Sequence, residues 1–188
     1  MTRGPVTVRD ARPSDALALQ AIWQDFTADD VRGHTADLSC AETERAVMRL
    51  ETDPCERLLV AVIDGEPVGV AHLRRAPVSP IHDEDAVHVG YLHVLSGYRR
   101  RGVGKHLLEA AADWADEKDS KHIVASVAAA ARDANRFLAR LGLGQVAIVR
   151  ASTVAGLRCK LSGAAAPKAV RTNVIAARRL MRRTKVTS

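Results

Sequence analysis

Aromatic side chains are scarce in this chain of 188 residues. Trp23, Phe26, Tyr91, Tyr98, Trp114 and Phe137 make up 3% of it. That argues against a carbohydrate cleft or a base-stacking platform, because both need exposed rings. Cysteine is scarcer still. Cys40, Cys55 and Cys159 stand far apart with no C-x-x-C pair, an odd, scattered set that reads as neither a disulfide framework nor a zinc site. No apolar run approaches the roughly 20 residues of a membrane span. Residues 1–8 lack the apolar stretch of a secretory signal, so a cytoplasmic protein is expected. What is present is ordinary: 47% apolar and 27% charged residues, enough for one domain with a sizeable core.

The net charge of +6 resembles a nucleic-acid signal until it is located. Lys168, Arg171, Arg178, Arg179, Arg182, Arg183 and Lys185 follow Ala165 with no acid among them, and the rest of the chain holds 21 basic against 22 acidic residues. The body is near neutral, and the high pI belongs to the tail. A domain over 1–163 and a basic tail over 164–188 are therefore expected. Val170, Val174, Ala177 and Met181 recur at helical spacing in the tail. This stripe suits a helix docked on its own body or on a second copy in a homodimer. A solvated extension is an equal alternative, and a nucleic-acid or membrane-surface arm ranks third.

Along the body, residues 6–9 alternate as a strand. Leu19, Ile22, Trp23 and Phe26 recur at i, i+3, i+4, i+7, so a helix is expected to about 29. A weaker helix follows over 41–51, stopped by Pro54. Residues 57–63 and 67–73 read as a hairpin about Asp64-Gly65. Then come a strand over 86–94, a helix over 101–114, a strand over 123–127 and a helix over 132–141 ended by Gly142. Residues 145–150 and 154–161 read as a closing pair of strands. The order predicts an α/β (α+β) protein with a mixed, mostly antiparallel sheet flanked by helices.

The informative segment is Val94-Leu95-Ser96-Gly97-Tyr98-Arg99-Arg100-Arg101-Gly102-Val103-Gly104-Lys105. A strand ends, a turn carries three arginines and two glycines, and an amphipathic helix begins. A helix N-terminus offers unpaired N–H groups and a positive dipole end, glycines admit close backbone approach, and guanidinium forks match phosphate oxygens. The arrangement suits a pyrophosphate. A solvated basic turn is the plain alternative. The spacing is neither a Walker A loop nor a Rossmann fingerprint.

These residues resemble the GCN5-related N-acetyltransferase (GNAT) family. Its [RQ]-x-x-G-x-[GA] signature is matched by Arg99, Gly102 and Gly104, within an aromatic-Arg-x-[RK]-G-[IV]-G run from Tyr98 to Gly104. The likeness extends over most of 6–161. It implies a GNAT-like fold and an acyltransferase that takes acetyl-CoA as co-substrate, needs no metal, and acetylates a primary amine by direct attack on the thioester. The acceptor could be a small molecule, a peptide N-terminus or a lysine. The pyrophosphate would sit on Arg99, Arg100, Arg101, Gly102, Val103, Gly104 and Lys105, and the pantetheine arm beside Leu92, His93 and Val94. Two positions depart from the family pattern. Ala131 stands where an Asn is common. Leu138 stands where a Tyr usually protonates the departing thiolate. These departures motivate an alternative, a non-catalytic acyl-CoA-binding module.

An ammonium cannot attack a thioester, so a base must accept its proton. By the period-2 rule residues 88, 90, 92 and 94 share one face. His88 would then stand with Leu92 and Val94, beside room left by Gly90, and is the leading candidate base. A packed or solvent-facing histidine is the bland alternative. His93 is expected to point the other way. Ser126 and Tyr91 are substitute acids that spacing does not place. His82, Asp83, Asp85 and His88 lack a fixed metal-ligand spacing. The acidic run at 83–85 either attracts a cationic amine or is a wet face.

Overall fold

The computed structural model describes residues 4–28, 39–81, 83–148, 150 and 152–162. The tail over 164–188 lies outside the described residues. The chain divides into two compact units, 1–144 and 145–188.

The first unit holds β1 (Thr7–Asp10), α1 (Ala16–Ala28), α2 (Cys40–Thr52), β2 (Glu56–Ile63), β3 (Glu66–Pro77), β4 (Asp85–Val94), α3 (Val103–Glu117), β5 (His122–Ala125) and α4 (Arg132–Arg140). The strands form one sheet in the order β1-β2-β3-β4-β5. All neighbours are antiparallel except β4 and β5, which run parallel because α3 carries the chain back across the sheet. The β2–β3 hairpin turns on Asp64 and Gly65 at φ 52° and 87°, the positive pair that a tight two-residue turn demands. Ser39 caps α2 in a reciprocal box. The Ser39 N–H donates to the Glu42 carboxylate at 2.8 Å, and the Glu42 N–H donates to Ser39 Oγ at 3.3 Å.

The sheet is apolar on both faces, as a sheet between helical layers must be. Leu59, Ala61, Leu73, Val87 and Val89 face α3 through Leu107, Ala111 and Trp114. Val60, Val62 and Val70 face α1 and α2 through Leu19, Ile22 and Val47. Fully burying one such side chain contributes about 1.5–3 kcal/mol.

Asp15, 7% exposed, ties β1 to the start of α1. The two Arg9 guanidinium nitrogens donate to its oxygens at 2.7 and 2.8 Å, and the Arg12 N–H donates at 2.8 Å. The Arg9 bond, reinforced by the Arg12 amide, holds its carboxyl below the usual carboxylate range. The stability this confers is present above the unfolded-state carboxylate pKa and is lost as pH falls through the lower folded value. Asp15→Asn is therefore expected to destabilise by about 1–3 kcal/mol at neutral pH. In urea titrations the gap to the parent should shrink below about pH 4.

In the second unit the sequence reading is corrected. Residues 145–148 form no ladder among the described residues, and Val154–Leu161 is a helix, α5. Thr153 caps it, its Oγ1 accepting the Gly156 N–H at 3.0 Å. Val146 and Ile148 alternate as a strand would, yet they stand 87% and 69% exposed. Alternation alone does not make a strand without a partner to complete its hydrogen bonds.

Candidate active site at the open edge of strand four

β4 has two neighbours only along its first half. Ala125 is the last β5 residue in register, opposite Val89, and the Ser126 N–H donates to Val89 O at 2.9 Å. β5 ends there, whereas β4 runs on to Val94. Over 90–94 the strand keeps β3 on one side and has no strand on the other among the described residues. A backbone edge bare in the middle of a sheet accepts an extended polar chain as an added strand would.

The same stretch contains a bulge. Val70 pairs His93 and His72 pairs Gly90, so β4 carries one extra residue. Tyr91 absorbs it at φ 50°. A bulge reverses the alternation beyond it, and this corrects the sequence reading. His88 and Gly90 lie on the α1 face, opposite Arg74 and His72, but Leu92 and Val94 pack with the core beneath α3. His93, expected to point away, lies on the α1 face with His88. Its Nε2 meets Asp25 Oδ2 of α1 at 2.7 Å, and its ring lies edge-on to Phe26 at 5.4 Å. The room expected at Gly90 is there, since an added Cβ would meet nothing within 4 Å. Gly90 was the available signal for the bulge, because glycine inside a strand often marks one.

The two histidines differ. His93 is held: Asp25 fixes its Nε2, and its side chain is 9% exposed. His88 Nε2 is enclosed with no hydrogen-bond partner among the described residues. Asp25 was missed by sequence reasoning. It comes from a helix 68 residues away, and no local pattern connects the two.

At the end of β4 the chain enters the basic turn. Arg100 and Gly102 take φ 62° and 79°, and Gly102 is the left-handed residue from which α3 starts. The first N–H groups of the helix with backbone acceptors are those of Lys105 and His106, both bonded to Gly102 O, at 2.9 and 3.1 Å. The N–H groups of Arg100, Arg101, Gly102, Val103 and Gly104 have no backbone acceptor among the described residues. They gather donors at the positive end of the α3 dipole. The side chains around it are held. Arg99 Nε donates to Val94 O at 3.1 Å and Arg99 reaches Asp25 at 3.6 Å. The Arg101 guanidinium lies 4.9 Å over the Tyr98 ring, and Lys105 pairs with Glu109 at 3.1 Å. A Cβ on Gly104 would sit 3.4 Å from Phe137 of α4, so α4 closes over the start of α3. The helix stop expected at Gly142 is there. Gly142 ends α4 at φ 89°, and its N–H donates to Ala139 O at 3.1 Å.

The sequence profile of the Acetyltransferase (GNAT) family matches residues 18–143. The chain belongs to this family. Solved structures share the fold. A transcriptional regulator from Bacillus halodurans C-125 is 23% identical with TM-score 0.67, over 79% of this chain and 99% of that one. Glucosamine-6-phosphate N-acetyltransferase from Arabidopsis thaliana is 14% identical with TM-score 0.65, over 80% and 99%. An aminoglycoside N-acetyltransferase in complex with CoA is 16% identical with TM-score 0.65, over 81% and 96%. At these identities the likeness is one of fold. No curated protein sequence matches the chain.

Against the GNAT pattern, Leu138 is 5% exposed and packs in the core beneath α3. The structure puts Tyr91 at the bulge and Ser126 just past the end of β5, so both side chains belong to the residues around the opening. The acidic run is elsewhere. Asp85 pairs with Arg75 at 3.1 Å and Glu84 meets His122 at 3.5 Å, at the far end of β4. There a depression of about 510 Å³ is lined by mixed charges, Lys118 and Lys121 among them. His82 lies outside the described residues, among which no group of three or more His, Cys, Asp or Glu could hold a metal. No described helix is long and apolar enough to cross a membrane.

Proposed function

We propose that the protein is an N-acetyltransferase that uses acetyl-CoA to acetylate a primary amine. The observation that carries this reading is the continuity of the bare β4 edge with the glycine-capped start of α3. Amide groups of 90–94 would hold the pantetheine arm, and the N–H groups of Arg100 to Gly104, with the Arg99–Lys105 side chains, would hold the pyrophosphate. When bound, acetyl-CoA supplies an acetyl thioester, whose carbonyl carbon the neutral amine attacks while the carbon–sulfur bond breaks.

The chain then has two tasks. The α1 face accepts the ammonium proton, and His93, oriented by Asp25, is better placed for this than His88. The departing thiolate needs little help, since an ordinary thiol has a pKa near about 8.5. Tyr91 at the bulge and Ser126 past the end of β5 are the candidate acids in place of the family's usual tyrosine.

Buried Leu138 favours a second reading, a module that binds acyl-CoA without turnover. Release of CoA thiol in the presence of an amine panel separates the two. Binding without release with any amine would leave only the module. Removing 164–188 is expected to leave acetyl-CoA affinity unchanged by isothermal calorimetry, because the basic turn has its own arginines. A lost affinity would move the domain boundary. Light scattering of the same pair tests the tail as a dimer contact.

A further inference from the structure

Half of the chain's six aromatic residues converge on the acceptor side of the opening. Trp23 and Phe26 of α1 lie 5.2 and 5.9 Å from Tyr91 by ring centroids and 5.5 Å from each other. The rings meet at 38°, 45° and 70°, which makes a corner and not a closed stack. His72 borders it at 6.3 Å from Tyr91. Tyr91 sits in a backbone region that costs a non-glycine residue of order 1–3 kcal/mol. The residue nonetheless stays 52% exposed. A ring placed only to fill the core would be covered, whereas a bulge that re-aims a half-exposed ring toward an opening marks a contact surface. Two carboxylates border the corner, Asp25 held by His93 at 2.7 Å and Arg99 at 3.6 Å, and Glu56 by His72 at 3.1 Å and Arg74 at 4.0 Å. With both carboxylates already paired, it is the ring faces that suit an apolar body carrying an amine.

We infer that the acceptor is a primary amine carried on an aromatic or other flat apolar body, which packs against Trp23, Phe26 and Tyr91 with its nitrogen toward His93. This rests on the acetyl-transfer reading, so the test separates the two. The probes are 2-phenylethylamine and tryptamine against n-butylamine and spermidine. Acetylation is followed by thiol release, and 2-phenylethylamine binding by tryptophan fluorescence. Trp114 is 3% exposed, so the response should come from Trp23 and vanish in Trp23→Phe.

The expected result is at least a tenfold higher kcat/KM for both aryl amines than for n-butylamine and spermidine. That advantage, taken as the ratio of aryl-amine to n-butylamine kcat/KM within each variant so that any common loss of turnover cancels, should fall at least fivefold in Tyr91→Asn, which tolerates the left-handed backbone, and persist in Tyr91→Phe. Equal or better use of n-butylamine or spermidine, or an aryl advantage that survives Tyr91→Asn, overturns the inference and leaves acetyl transfer standing. Acetyl-CoA that fails to bind, together with a Trp23-dependent response to 2-phenylethylamine, overturns the acetyl-transfer reading and keeps the aromatic site.

Discussion

Acetyl-CoA at a hundred times its Kd is expected to stabilise the protein against unfolding by about 2.7 kcal/mol, and Gly104→Asp to remove at least about half of that gain. The argument is local. Gly104 lies in the first turn of α3, next to the N–H groups that have no backbone acceptor among the described residues. A carboxylate there favours the helix through its dipole, so the variant should fold. It also sets a negative charge against the incoming pyrophosphate. The Kd should rise at least tenfold, about 1.4 kcal/mol. Gly104→Ala is the control, since its Cβ would stand in ordinary contact with Phe137 at 3.4 Å. Scanning calorimetry with and without ligand on the three proteins decides the matter. Full stabilisation of Gly104→Asp would mean that the anion sits elsewhere.

Replacing His93 should strike turnover and spare cofactor affinity. His93→Gln is expected to lower kcat for 2-phenylethylamine by about 10²–10⁴-fold, the range for losing a positioned base. Asp25→Asn keeps an acceptor oxygen for the ring and should lose less. His88→Ala should cost least, because its Nε2 is enclosed and has no partner among the described residues to pass a proton to. Should His88→Ala cost more in kcat than His93→Gln, the base is His88. An unchanged kcat in both would assign the proton to water.

The sequence alone determined the elements of the first unit and the glycine-bounded basic turn, because both are encoded by short-range rules. Apolar spacing in 16–28 and 103–117, the Asp64-Gly65 turn and the glycines after Arg99 act over a few residues, where backbone sterics and burial of one face dominate. The tertiary structure decided the rest. One inserted residue at Tyr91, visible only through the β3–β4 register, reversed the strand and moved His93 onto the α1 face. Asp25 and the rings of Trp23 and Phe26 reached that face only when α1 packed across the sheet. The expected closing strands failed for the same reason. A strand needs a neighbour to complete its hydrogen bonds, and alternation in one segment does not say whether a neighbour arrives. Local sterics fix what a segment prefers; which side chains meet depends on register and packing between segments far apart in sequence.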